Sequence, residues 1–522
     1  MNQSLSDSYD DIPYPSYNYQ KTRPDQLAAV GQLFGMEPAD FTHARVLELG
    51  CASGGNLLPM AAVYPDSTFV GIDLSDKQID AGRRAIADLN LENIRLERAS
   101  IMDIEAGFGE FDFIIAHGIY SWVTDDVREK TLAICKDNLA PKGIAYVSYN
   151  TLPGWNILKS IRDMMVYHTG DLDNPAAKIL EARRMLTFTL ENLSGGETPY
   201  KNLLKREIDI ISGFDDNYLL HDHLEQCNEP CYFHEFMTKA SAKGLQYLGD
   251  VDVATMYLGN FSRTARDTLA QVTDIIRQEQ YLDFLSDRRF RSSLLCHADV
   301  ELSRNLSVDR LAGFLFTTVL TRKDGFSSVD LSVDGPVVFD YLTTGDTVTS
   351  ATRAGTAAIC ALGDSAARPL SVDEVVAKAV ALLGDVPGDV VRQTFLEFAG
   401  QLLLSGAIEI ALDPGFQVTE VSERPEAWSV ARHKAVSANY VPNVLHRGVK
   451  LGDDARVMLQ YVDGTRTVDE IIDAYVPNFF NGNLTYMIDG VAVTNEDKIR
   501  GSMAPIVTNG LRVFAASSLL VA

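Results

Sequence analysis

Long apolar runs are missing from this 522-residue chain. Its most apolar stretches, such as Leu311 to Leu320 and Val513 to Ala522, fall far short of the roughly 18 to 20 residues that cross a bilayer, so a membrane-spanning protein is not expected. Basic residues are also in short supply, with 46 Lys and Arg against 71 Asp and Glu and a net charge of −25. That balance disfavours nonspecific attraction to nucleic acid and suits a basic partner. Cysteine is scarce. The six residues, Cys51, Cys135, Cys227, Cys231, Cys296 and Cys360, fit reduced thiols better than a disulfide framework. The start, MNQSLSDSYDDIPYPSYNYQ, is polar, acidic and Tyr-rich and lacks the basic-then-apolar order of a secretory leader, so a cytoplasmic location is expected.

What is present is an ordinary globular composition, 46% apolar and 22% charged, which excludes a mainly disordered, fibrous or coiled-coil chain. At about 150 residues per domain, the length implies roughly three domains. From Arg45 to Tyr149 the segments RVLELG, FVGID, IRLERA, FDFIIAHG and IAYVSYN read as strands, alternating with helices over Asn56 to Val63, Lys77 to Leu89 and Val127 to Leu139. Strands of this apolar kind, alternating with helices, predict an α/β fold, a doubly wound parallel sheet covered on both faces. The pattern divides the chain into a Tyr-rich cap (1–40), an α/β core (41–155) and a helical insertion (156–215) with a loop at Ser194 to Pro199. A segment with LQYLGDVD and FRSSLLCH as strands (216–300) completes the core. Three helices and a β ribbon then suggest a winged-helix-like module (301–422), followed by a small helical and β module (423–522).

VLELGCASGG puts Gly50, Gly54 and Gly55 in the turn after the first strand, where small residues let the backbone approach a ligand beside a helix N-terminus. Asp73 ends the second strand, 23 residues after Gly50, in position to hydrogen-bond ribose hydroxyls. Asp103 follows the third strand, where it can meet an adenine amino group. Each residue alone reads equally well as a turn or helix cap, but the set in this order converges on one crevice at the carboxyl edge of the sheet. A dinucleotide site is the close competitor. The run Glu48-x-Gly50-x-Ala52-x-Gly54 resembles motif I of class I AdoMet-dependent methyltransferases, with Ala52 in place of the usual middle glycine. The resemblance implies a Rossmann-like fold, S-adenosyl-L-methionine as cofactor and S-adenosyl-L-homocysteine as product. It also implies that Glu48 lies near the methionine end, that Gly50, Ala52 and Gly54 line the loop, and that Asp73 holds the ribose and Asp103 the adenine edge. Leu74 and His117 complete the implied cofactor contacts.

YDDIPYPSYNYQKTRPDQLAAVGQLFGM before motif I, HGIYSWV after the fourth strand and YVSYNTLPGW after the fifth resemble the bacterial protein lysine methyltransferases typified by the rickettsial enzymes. EQCNEPCYFHEF resembles that family's methyltransferase regulatory domain, and a C-terminal winged helix fits the same family. The resemblance implies a protein substrate with accessible lysines. Methyl transfer from a sulfonium is an in-line displacement that mainly requires alignment of an unprotonated nucleophile. His117, Tyr120, Trp122, Tyr149, Asn150 and Trp155 lie at or just beyond two strand ends facing the expected cofactor crevice. Aromatic faces suit a lysine ammonium and its methylated forms, while Asn150, His117 or a Tyr hydroxyl can accept a hydrogen bond from the amine. The bland reading of the aromatic residues is packing of helix starts on the sheet. Asn150-x-x-Pro153-Gly154-Trp155 partly resembles the Asn-Pro-Pro-aromatic loop of amino methyltransferases, but it follows the fifth strand and has an extra residue, so no role is taken from it. For the Tyr-rich arm (Tyr9, Tyr14, Tyr17, Tyr19) the resemblance suggests a cover over the substrate entrance.

His221, His223, Cys227, Cys231 and His234 put five potential metal ligands within 14 residues, but the irregular spacing and Pro230 beside Cys231 favour core or surface positions and no metal. Two other functions stay open at this point: methylation of a small molecule, and a nonenzymatic AdoMet-sensing or winged-helix binding protein. The third helix of the 301–422 module, DVVRQTFLEFAGQLLL, offers Arg392 against Asp389 and Glu397 and so has no phosphate-binding face. The protein is therefore expected to show no salt-sensitive binding to duplex DNA at physiological ionic strength, as measured by fluorescence anisotropy across a salt series. Micromolar binding that falls steeply with added salt contradicts this.

Overall fold

The structure, a computed structural model, describes residues 16–522 apart from 194, 195, 197, 214, 215, 217, 218, 226, 343, 344, 366, 367, 417, 419, 489 and 490. Tyr9, Tyr14, Ser194 and Gly195 lie outside the described residues. Among the described residues no helix is long and apolar enough to cross a membrane.

The strands are β1 Arg45–Leu49, β2 Thr68–Asp73, β3 Ile94–Arg98, β4 Phe111–Ala116, β5 Leu139–Asn150, β6 Leu245–Asp250 and β7 Phe290–His297. They form one sheet in the order β3-β2-β1-β4-β5-β7-β6. The first five pair in parallel, whereas β7 runs antiparallel to both β5 and β6, a reversal that apolarity alone did not predict. Val46, Leu47 and Leu49 are fully buried because helices cover both faces of the sheet, which is why these strands read as continuous apolar runs. The helices of this region are α1 Pro24–Leu33, α2 Leu57–Val63, α3 Asp76–Asp88, α4 Asp125–Asp137, α5 Trp155–Thr169, α6 Pro175–Asn192, α7 Pro199–Ser212, α8 Phe233–Ala242, α9 Arg263–Leu269 and α10 Ile275–Ser286. Their starts follow local rules: Pro24 opens α1, and the Ser75 hydroxyl accepts from the Gln78 amide at the start of α3. Helices α5 to α7 enclose their own apolar cluster, with Ile161, Met165, Leu186, Leu204 and Ile211 inside it.

Three helices, Arg353–Gly363, Val372–Leu383 and Gly388–Leu404, pack with the antiparallel strands Leu370–Ser371, Leu315–Thr318 and Ile408–Ala411. This unit has no separate main core. Leu311, Phe314, Phe316, Phe395 and Ile410 belong to the same apolar cluster as Val46, Phe69 and Ile144 of the central sheet. The last hundred residues are different. Trp428, Val444, Leu459, Ile471, Val507 and Phe514 form a core of their own.

The reversed edge of the sheet is held by charge. Arg291 on β7 is fully buried, as are Glu279 and Asp283 on α10. Its guanidinium donates to Glu279 Oε2 at 2.9 Å and to both Asp283 oxygens at 2.8 and 2.9 Å, and it lies 3.9 Å from the centre of the Phe233 ring. Removing one partner of such a network strands the other charges in a medium that solvates them poorly. Arg291→Met is expected to lower stability by about 3 to 5 kcal/mol in urea unfolding; a loss below about 1 kcal/mol would show that the acids find other partners.

Candidate active site

Gly50 and Gly54 adopt φ of +70° and +76°, the left-handed region open to glycine. Two successive amides, of Gly50 and Cys51, donate to the Ile72 carbonyl at 2.8 and 2.9 Å, which ties the turn to the end of β2. Ala52 also sits left-handed, at φ +47°, a conformation that disfavours a residue with a Cβ by roughly 1 to 2 kcal/mol. It is held there by its amide, which donates to Asp73 Oδ2 at 2.9 Å, while Asp73 Oδ1 accepts from the Ser75 amide at the same distance. Asp73 thus shapes the loop as well as standing where the sequence places a ribose ligand, and Leu74 beside it is half-buried. Asp103 lies exposed in a short turn after β3, where its carboxylate accepts from the Ser100 amide at 3.2 Å.

Glu48 projects from β1 between Gly71 of β2 and Ile115 of β4 and is 4% exposed. Asn56 donates to its Oε1 at 2.8 Å, and its Oε2 is buried without a hydrogen-bond partner. A buried acceptor left open beside the glycine turn fits a donor such as the ammonium of an amino-acid moiety. Burial pushes the Glu48 carboxyl up to about 8; the Asn56 bond opposes the rise and the nearby Asp73 charge adds to it. Asn56 joins the candidate residues; the sequence did not point to it, since one polar residue at a helix start carries no signal beyond capping.

At the other end of the crevice, His117 follows β4. Its Nδ1 lies 3.0 Å from the Tyr146 hydroxyl and 3.2 Å from the Ser148 hydroxyl, and Tyr146 is 2.9 Å from the Ser292 hydroxyl. Tyr19 of the N-terminal arm lies across the imidazole with ring centres 3.7 Å apart. Loss of solvent lowers His117 to about 4, so the ring is neutral at pH 7. Alternation along β5 sets this face: Tyr146 and Ser148 point to the crevice, and Tyr149 points away.

That alternation corrects Tyr149 as an expected wall residue, and the turn after β4 carries Tyr120 into the same core. Tyr149 and Tyr120 are 1% and 2% exposed and pack around Phe236 of α8, with Tyr149 stacked on it at 4.3 Å. They belong to the core beneath α8. Trp122 and Trp155 do meet, edge to face at 6.5 Å, and His223 stacks on Trp155. Asn150 lies near them; its amide nitrogen donates to Asn228 Oδ1 at 3.2 Å, and its backbone amide donates to the Ser121 hydroxyl at 2.8 Å. Tyr146, Tyr19, Asn228 and Phe290, whose ring meets His117 edge to face at 6.2 Å, therefore join the candidate set. The first could have been found by counting residues of one parity along β5. Among the described residues no group of three His, Cys, Asp or Glu side chains is arranged to hold a metal.

The sheet order, the glycine turn and the acidic groups at successive strand ends define a class I methyltransferase domain, and a family model described as a methyltransferase domain matches residues 46–143. S-adenosyl-L-methionine is the cofactor of this enzyme. A model of the predicted methyltransferase regulatory domain matches 215–297, and one of the PKMT C-terminal winged helix domain matches 423–519. The winged-helix name thus falls on the separately cored last module, not on 301–422, where three helices and a ribbon had suggested it. The structure of PKMT2 from Rickettsia typhi in complex with AdoHcy superposes with a TM-score of 0.89 at 32% identity, covering 98% of this chain and 100% of that one. Protein RP789 of Rickettsia prowazekii (strain Madrid E) is 36% identical over 518 residues, 98% of this chain and 93% of its own. Protein RP028 of the same organism is 41% identical over 241 residues, 46% of this chain. The chain belongs to the family of Rickettsia typhi PKMT2 and Rickettsia prowazekii RP789.

The raised Glu48 carboxyl has a measurable consequence. Folding favours its neutral form, so its contribution to stability is full below the ordinary value of 4.5 and is lost as pH rises through about 8. Glu48→Gln, which keeps an acceptor for Asn56 but cannot ionise, should gain stability relative to the parent between pH 5 and 9, by no more than about 5 kcal/mol. Parallel unfolding curves at both pH values would show that Glu48 titrates normally.

Proposed function

We propose that the protein methylates lysine side chains of a protein substrate. The observation that carries this reading is a groove of about 1130 Å³ between the catalytic sheet, the N-terminal arm and the 301–422 unit, lined among others by Lys21, Asp252, Arg288, Arg289, Tyr341 and Glu409. It exceeds the usual 300 to 1,000 Å³ of small-molecule pockets, and a polypeptide segment fits such a trough. One wall is tied to the turn between β5 and α5, because the amides of Thr151 and Gly154 donate to the Arg289 and Arg288 carbonyls at 2.9 and 3.1 Å. A net charge of −25 favours encounter with basic, lysine-bearing segments. The full-length likeness to Rickettsia typhi PKMT2 supports the same substrate class.

S-adenosyl-L-methionine, when bound, supplies an electrophilic methyl group. The rest falls to this chain's residues. Glu48, the Gly50 to Gly54 turn, Asp73 and Asp103 hold the donor at the carboxyl edge of the sheet. Trp122 and Trp155 wall the alkyl chain of lysine, and the low polarity around them disfavours the charged ammonium, so the amine arrives with a free electron pair. Asn150 or the neutral His117 accepts a hydrogen bond from the amine and turns that pair toward the methyl carbon. The remaining proton leaves to solvent.

Incubation of cell lysate with the protein and isotopically labelled AdoMet, followed by mass spectrometry, tests the reading. Label is expected on lysine of protein substrates. Trp155→Ala and Asn150→Ala should each lower turnover at least about tenfold while leaving AdoMet affinity nearly intact, since one stacking or charge-directed contact is worth that much. Label confined to the low-molecular-weight fraction, or turnover unmoved by both substitutions, would transfer the assignment to a small-molecule methyltransferase.

A further inference from the structure

The C-terminal module reaches into the cofactor site through one side chain. His446 Nε2 lies 2.8 Å from Asn56 Oδ1 across 390 residues of sequence. The direction of this bond is fixed by its neighbours. The backbone amide of Tyr19, which can only donate, points at the same Oδ1 at 2.9 Å, so that atom is the oxygen and His446 must be the donor. The Asn56 nitrogen then faces Glu48 Oε1 at 2.8 Å and the Thr22 hydroxyl at 3.0 Å. His446 is 2% exposed and Asn56 3%, and burial keeps the His446 ring uncharged. The loop that presents His446 is built for the purpose. His446 holds a left-handed backbone at φ +61°. The Asn443 side chain fastens both flanks by accepting the amides of Leu445 and Arg447 at 3.0 and 2.8 Å. The His446 carbonyl accepts from Asn18 at 2.7 Å. Left-handed backbone in a residue other than glycine persists only where its surroundings enforce it, and such strain gathers at working sites.

We propose that His446 is a positioning residue of the methyl-donor site, acting through Asn56 to hold the Glu48 carboxyl beside the glycine turn, so that the C-terminal module completes the pocket. The proposal does not depend on which substrate is methylated.

Calorimetric titration of the full-length protein with S-adenosylhomocysteine tests it. His446→Asn suits the left-handed backbone but is too short to reach Asn56, and it should weaken binding about tenfold, the loss of one buried hydrogen bond. His446→Gln, whose amide nitrogen extends to the place of Nε2, should recover most of that loss. His433→Ala serves as the control. It breaks another contact between the same two parts of the chain, the 3.2 Å approach of His433 to Asp88, far from Glu48 in the fold's wiring, and should leave affinity unchanged. In turnover, His446→Asn should raise KM for AdoMet and leave kcat unchanged. In a Glu48→Ala background, His446→Asn should add no further loss. Unchanged affinity in His446→Asn, an equal loss in His433→Ala, or full additivity with Glu48→Ala would each overturn the proposal.

Discussion

Everything at the cofactor end of the molecule depends on one buried amide. Asn56 donates to Glu48 and Thr22 and accepts from the Tyr19 backbone and His446, so the first strand, the N-terminal arm and the last module meet on a single side chain. A buried polar group must have its bonds satisfied, and here that requirement brings together segments far apart in the chain. Around it the arm is pinned as a strap. The Gly55 amide donates to the Ser16 hydroxyl at 2.7 Å, Tyr17 meets Tyr440 edge to face, and Tyr19 covers His117. A Cβ at Gly55 would stand 2.4 Å from the Ser16 carbonyl oxygen, so glycine is needed there for the closeness of the strap.

The two ends of the crevice differ in their electrostatics. At the Glu48 end an acid is buried with the Asp73 charge close by and is ready to gain charge when a cation approaches. At the His117 end burial works in the opposite sense and removes charge, leaving imidazole, phenol and hydroxyls in one chain from Ser148 to Ser292. Under the proposed reading, in which a cationic donor meets a neutral amine, this pairing is what the chemistry calls for. The charged network at Arg291 lies on the far side of β7 from Ser292 and keeps that strand in register, so the hydroxyl row stays opposite β5.

Much of this was legible in the chain. The alternation from Arg45 to Tyr149 carried the sheet, and Gly50, Gly54, Asp73 and Asp103 marked its carboxyl edge, because turns and strand ends leave local signatures. Tyr149 and Tyr120 were misplaced for a physical reason. Both stand near strand ends, but parity along β5 turns Tyr149 away from the crevice, and the turn after β4 folds Tyr120 under α8. The reversal of β7 was illegible because a fully buried strand looks the same in either direction. Asn56 and His446 were illegible for a deeper reason, since their meaning lies in a contact that spans most of the chain. The 301–422 unit misled in another way. Its three helices and ribbon do imitate a winged helix, yet its core is continuous with the catalytic sheet, and the separate core begins only after residue 422.

The contact between His446 and Asn56 also sets an order of events during synthesis. The glycine turn and Glu48 leave the ribosome early, but the donor that completes their hydrogen bonding emerges 390 residues after Asn56. At ordinary translation speeds of 5 to 20 residues per second, that is an interval of about 20 to 80 s. During that time the sheet can form and the strap can lie down, while Asn56 must find its last partner in water. The nascent chain therefore presents the glycine turn and Glu48 well before His446 can complete the bonding of Asn56.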